Sequence, residues 1–191
     1  MSSNGFHVHG PHDHEVEHAV KHGGDSLTAQ IAMFTAVIAT VGAILGYMGG
    51  ATQANAGLYK NNAAIKKTEA ANQWNYYQAK SNKQNLAELS LEIVSGSRRE
   101  FYQNEIERYK SEKVEIKAKA EQLETEAGDW EGRSDQQMHQ HHRYAQATTA
   151  IQVSVAIAAI VLLTRRNWLK TVMYGMGGVG LVIGGMAALH I

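Results

Sequence analysis

The chain has 191 residues, 18 Lys and Arg balanced by 18 Asp and Glu, one proline and no cysteine. The length suits one ordinary domain, and the zero net charge gives no electrostatic footprint for nucleic acid. Without cysteine there is no disulfide, thiolate metal site or cysteine nucleophile, and a lone proline, Pro11, favours long uninterrupted helices.

Residues 1–26 read as a disordered, histidine-rich tail. His7/His9 and His12/His14 are His-x-His pairs, and His14, His18 and His22 fall four apart. Neutral imidazoles in this number suit Zn, Ni or Cu(II). Gly5, Gly10, Pro11, Gly23 and Gly24 argue against a preformed geometry. A solvated tail whose imidazoles gain charge together as pH falls towards about 6 is the plainer reading.

Residues 27–50 then form a charge-free apolar stretch, as do 147–163 and 171–190. Each approaches or exceeds the ~20 residues that a helix needs to cross a bilayer, so three transmembrane helices are predicted. A cleaved signal peptide fits the first poorly, because its leader is acidic and Lys21 is the only Lys or Arg before it. Small residues recur every four positions: Gly42, Gly46 and Gly50 in the first span, Ala150, Ser154 and Ala158 in the second, Gly180 and Gly184 in the third. In lipid such rows permit close helix packing.

Residues 51–146 change composition to Asn, Gln, Lys and Glu with sparse apolar positions. Leu58, Ile65, Asn72, Ala79, Leu86 and Ile93 repeat every seven; so do Tyr102, Tyr109, Ile116, Leu123, Trp130, Gln137, Tyr144 and Ile151. A second row runs from Ile106 through Lys113, Ala120, Ala127, Ser134, His141 and Thr148 to Val155. This heptad pattern predicts a coiled-coil-like stalk. Ser95-Gly96-Ser97 is the turn signal, so the stalk is read as an antiparallel hairpin that turns near 95–97. That register sets Ile65 near Ala127, Tyr76 near Ile116 and Leu86 near Ile106. Gly128 and Gly132 are the weak point of the second arm, where a kink or break would fall. Glu115/Lys119 and Arg108/Glu112 have the spacing of helical ion pairs. So thin a two-helix seam buries little, and Trp74, Tyr76 and Tyr77 span more than one face. Both points predict a homo-oligomer or a protein partner through the stalk.

The short loop 164–170 carries Arg165, Arg166 and Lys170 and no acid. By the positive-inside rule it is cytoplasmic, with the tail, and the stalk is periplasmic. Lys60, Lys66 and Lys67 after the first span argue the reverse, but long segments weigh less. His139, His141 and His142 lie just before the second span, across one membrane crossing from the tail, so the two histidine groups cannot share an ion within a protomer.

The stretch NQWNYYQAK (Asn72–Lys80), with the tail at His7–His22 and HHRYAQATTAIQ (His141–Gln152) leading into the second span, resembles an uncharacterised bacterial inner-membrane family catalogued as a domain of unknown function. The resemblance implies one span, a charged helical middle and two closing spans. It supplies no catalytic residue.

The expected fold class is therefore all-α: an integral membrane protein with three transmembrane helices and a long antiparallel helical hairpin outside the bilayer. No GxSxG, HExxH or phosphate loop is present, and no Asp, Glu, Lys or Arg lies within a span, which argues against an ion-coupled transporter. The first functional expectation is a non-enzymatic, oligomeric membrane scaffold or partner-binding protein that requires no cofactor. The second is a metal-responsive or metal-handling membrane protein that uses the tail, with His7, His9, His12, His14, His18 and His22 as ligands for Zn, Ni or Cu.

Overall fold

A computed structural model describes residues 26–190. The tail histidines His7–His22 lie outside the described residues. Three helices account for nearly all of the rest: α1 (Ser26–Ile93), α2 (Ser97–Thr164) and α3 (Asn167–Ala188). No strand occurs among the described residues. Each helix contains a stretch long and apolar enough to cross a membrane.

Two short connections interrupt the helices, and each uses a left-handed residue. Between α1 and α2, Gly96 takes φ +68°, a conformation open to glycine without steric cost. The Arg99 amide then donates to Gly96 O at 3.0 Å, and Glu100 places a negative charge in the first turn of α2, where it complements the helix dipole. Between α2 and α3, Arg165 closes α2 at φ 52°, its amide donating to Val161 O at 2.8 Å. That is the αL type of helix ending, here without the usual glycine.

The chain divides into two compact units. Among the described residues the first comprises 26–49 together with 142–190; the second is 50–141. In the first unit the apolar parts of all three helices pack together. One cluster joins Ile38, Leu45, Tyr144, Ala147, Ile151 and Ala187. Another joins Ile31, Ala158, Val161 and Met173. Phe34 meets Tyr174 edge-on at 4.7 Å. The outward side chains of this unit are apolar as well, Met33, Val37, Ile44 and Val182 among them.

In the second unit α1 and α2 run antiparallel. Lys66 pairs with Glu126 at 3.2 Å and Lys80 with Glu112 at 2.5 Å; within each pair the two residues are equally far from Gly96 in sequence. The axial register is therefore the one that a reversal at Gly96 requires. The rotation of α1 is not the expected one. Leu58, Ile65, Leu86 and Ile93 are 56%, 47%, 64% and 79% exposed, and Asn72 and Ala79 are exposed too. Ile65, Tyr76 and Leu86 thus do not form the seam. Alanine supplies it: Ala56, Ala63, Ala70 and Ala87 are buried. On α2 both expected rows do turn inward, with Ile106, Ile116, Ala120, Leu123 and Ala127 buried. Small residues on one helix admit the larger side chains of the other, which places the bulky α1 row on the outside.

Helix α2 continues unbroken through Gly128 and Gly132. Residues around the glycines anchor it to α1. The Ser134 hydroxyl donates to Ala56 O at 2.9 Å, Trp130 lies 5.5 Å from Tyr59, and Glu131 binds two lysines. These tertiary contacts offset a helix-propensity cost of about 1 kcal/mol per glycine.

Candidate functional site

The polar contacts of the second unit form a ladder between α1 and α2. Glu131 accepts from Lys60 at 2.5 Å and from Lys67 at 2.8 Å. Hydrogen bonds from Lys60 and Lys67 hold its carboxyl well below the ordinary 4.5, at about 2. A depressed carboxyl favours the folded state at every pH above its unfolded value and loses that contribution as pH falls through the folded one. The Glu131 clamp is accordingly complete above pH 4.5 and released as pH approaches about 2. Glu131→Gln is expected to flatten the acid dependence of hairpin melting across that interval, as followed by circular dichroism. An unchanged pH profile would show that the clamp contributes nothing.

Lys80 is the most enclosed cation of the ladder, its side chain 12% exposed. The Glu112 carboxylate raises it above the usual ammonium range, and Lys80 in turn lowers Glu112. The Lys80 ammonium also lies 5.2 Å from the Tyr76 ring and 5.4 Å from the Tyr109 ring, positions that favour a cation. Of the two expected intrahelical ion pairs, Arg108–Glu112 forms at 3.5 Å. Lys119 donates to Gln122 at 3.3 Å and makes no pair with Glu115 among the described residues.

The aromatic trio divides. Trp74 Nε1 donates to Glu124 at 2.8 Å and meets Tyr77 edge-on at 5.8 Å; Lys113 lies over the Tyr77 ring at 5.3 Å. Trp74 and Tyr77 thus serve the pairing of α1 with α2. Tyr76, 49% exposed, remains at the surface.

The glycine rows of the first unit are also unequal. A Cβ on Gly42 would lie 2.7 Å from Ile151 Cγ2, one on Gly180 2.7 Å from Ile151 Cγ1, and one on Gly184 2.6 Å from Leu45 Cδ1. Gly46 has only Thr148 at 3.9 Å, and Gly50 has nothing within 4 Å. Ile151 therefore occupies the notch left by Gly42 on one side and Gly180 on the other. Gly177, absent from the rows read in the sequence, is as tight: a Cβ there would lie 2.9 Å from Phe34 Cζ and 3.2 Å from Ser154 Oγ. The Ser154 hydroxyl, fully buried, donates to Met173 O at 2.7 Å. This side-chain hydrogen bond across two apolar helices ties α2 to α3.

Two sets of packing contacts were missed in the sequence pattern. The alanine seam was legible as a heptad of small residues at Ala56, Ala63 and Ala70, but in a polar segment the larger apolar row dominated. Gly177 carried no signal that separated it from Gly175 and Gly178. His139 and His142 are exposed and His141 is half-buried. Among the described residues no group of three or more His, Asp or Glu is placed to hold a metal ion.

These features define an all-helical protein with three helices long and apolar enough to cross a membrane, two of which continue into a charged, antiparallel pair. A family model described as Domain of unknown function (DUF4337) matches residues 27–190, and the chain belongs to that family. No curated protein and no solved structure matches it.

Proposed function

We propose that the protein is a non-enzymatic, multi-pass scaffold of the bacterial inner membrane, which holds its helical pair outside the bilayer and assembles through it. One observation carries this reading. The unit 50–141 leaves Leu58, Ile65, Leu86 and Ile93 on its outer surface at heptad spacing. In the first unit exposed apolar side chains face the medium that three membrane-length helices require. In a charged segment outside lipid, a column of such side chains calls for a protein neighbour. The ladder cations and carboxylates are engaged with one another, an arrangement that builds structure and presents no reactive group.

Orientation follows the short basic loop: tail and residues 164–170 cytoplasmic, helical pair periplasmic. The chain has no native cysteine, so a single thiol at Ser97 or at Ser2 reports its own side. Labelling at Ser97 and not at Ser2 by an impermeant reagent on intact cells supports this orientation; the opposite pattern reverses it. The scaffold reading is tested by the mass of the protein extracted from membranes in mild detergent. A multiple of the 20.9 kDa chain, or a stoichiometric partner, is expected. A bare monomer refutes it.

A further inference from the structure

The exposed heptad column of α1 belongs to a broader face. Counting by sevens from Leu58, Asn61 and Gly57 gives three adjacent columns on the side of α1 turned away from the alanine seam. Every one of these positions is exposed from Gly57 to Leu89. None carries a charge; Glu92 is the first that does. The second and third columns hold only Asn, Thr, Leu, Gly, Ala and Gln, with asparagine at 61, 72, 75, 82 and 85 across the face. The lysines and carboxylates of α1 sit on its other sides, among them Lys60, Lys66, Lys67 and Lys80 of the ladder. The outer surface of α2 differs, with exposed Glu107, Lys110, Lys117, Glu121, Arg133 and Asp135. The pair therefore has one ionic outer side and one long uncharged side.

We propose that the uncharged face of α1 is a parallel, in-register seam with a second copy of this chain. The inference rests on the membrane-anchored reading above. Anchored copies share one orientation and one height, so two identical faces that meet do so in parallel, each residue opposite itself. In that geometry any charged position meets its own sign, which is unfavourable. A homotypic face must therefore be free of charge, and this one is, from Gly57 to Leu89. A face made for a different protein has no such restriction. Asparagine fits the same geometry, since its amide carries both donors and an acceptor and can pair with its own copy. Asparagine within a heptad seam sets parallel register and restricts oligomer number, at some cost in stability. Leu58, Ile65, Leu86, Leu89 and Ile93 supply the apolar contacts.

The absence of native cysteine makes the test direct. Asn75 on the uncharged face and Lys117 on the ionic side are equally far from Gly96 in sequence, so they serve as a matched pair. In isolated membranes treated with a mild oxidant, Asn75→Cys is expected to give a disulfide-linked dimer. Lys117→Cys is expected to give at least about tenfold less, because a disulfide needs Cα atoms about 4.4–6.8 Å apart. Ile65→Glu, at an exposed position that leaves the protomer core untouched, is expected to abolish the Asn75→Cys dimer while circular dichroism stays helical. Equal cross-linking at both sites overturns the proposal. So does an Asn75→Cys adduct with another protein in place of itself, or a mixed disulfide between Asn61→Cys and Asn75→Cys chains, which lie about 21 Å apart along the helix in register. An oligomeric mass without the Asn75→Cys dimer overturns the seam and leaves the scaffold standing. A monomeric mass overturns both.

Discussion

Gly180→Ala is expected to destabilise the packing of α3 on α2 by about 1–3 kcal/mol, the usual range for an overpacked core, whereas Gly178→Ala is expected to be neutral or stabilising by up to about 1 kcal/mol. Both residues are interior to α3, and alanine improves helix propensity equally at each. The difference lies in what a methyl group meets. At Gly178 nothing lies within 4 Å. At Gly180 the new carbon would lie 2.7 Å from Ile151 Cγ1, 3.0 Å from Ala147 O and 3.2 Å from the Ile151 amide nitrogen. Two of those atoms are backbone, so α2 itself must move. Gly184→Ala is intermediate, because its obstruction is the end of the Leu45 side chain, which can change rotamer. Thermal unfolding in mild detergent, followed by circular dichroism, ranks the three. Equal midpoints for the Gly178 and Gly180 variants would remove the close approach from the account.

The second large effect is expected at Ile151. This side chain is 1% exposed and sits in the notches of Gly42 and Gly180 at once. Ile151→Ala is expected to cost about 2–5 kcal/mol, as for other truncations of buried isoleucine, by opening a void where α1, α2 and α3 meet. The obstruction at Gly180 and the void at Ile151 are complementary. Combining Gly180→Ala with Ile151→Ala is therefore expected to be less damaging than the two separate costs together, with a coupling of about 0.5–3 kcal/mol for residues in direct contact. Strict additivity in a double-mutant cycle would show that Ile151 does not fill the glycine notch.

The helical class of the chain was legible from the segregation of charge and the near absence of proline. The three apolar helices were legible from the length of three charge-free apolar stretches, and the place of reversal from Ser95-Gly96-Ser97, where the chain meets a left-handed glycine. The rotation of α1 was not. A column of Leu and Ile at heptad spacing says that something packs there; it does not say whether the neighbour is the adjacent helix or another molecule. Within the chain the neighbour chose Ala56, Ala63 and Ala70, because small side chains let two backbones come close. The glycine rows were legible as a class and not as individuals: Gly42, Gly180 and Gly184 are tight while Gly50 is open, since which glycine meets a side chain depends on the partner helix. Gly128 and Gly132 pointed to a break that Trp130, Glu131 and Ser134 prevent by gripping α1.

Identical teeth in a zip let it close one tooth out of step. Ala56, Ala63 and Ala70 are such teeth, and Lys60 and Lys67 share their interval, so sliding α1 by one repeat would sacrifice little of the adhesive surface and keep one lysine on Glu131. The remaining ionic partners do not recur at that interval. A slide of one repeat sets Gln73 against Glu126 and Ala87 against Glu112, taking Lys66 from the first carboxylate and leaving the second with Arg108 alone. Against a slip of one repeat, alignment of the two arms is thus decided by Lys66 and Lys80, which recur only at every second repeat of the alanines.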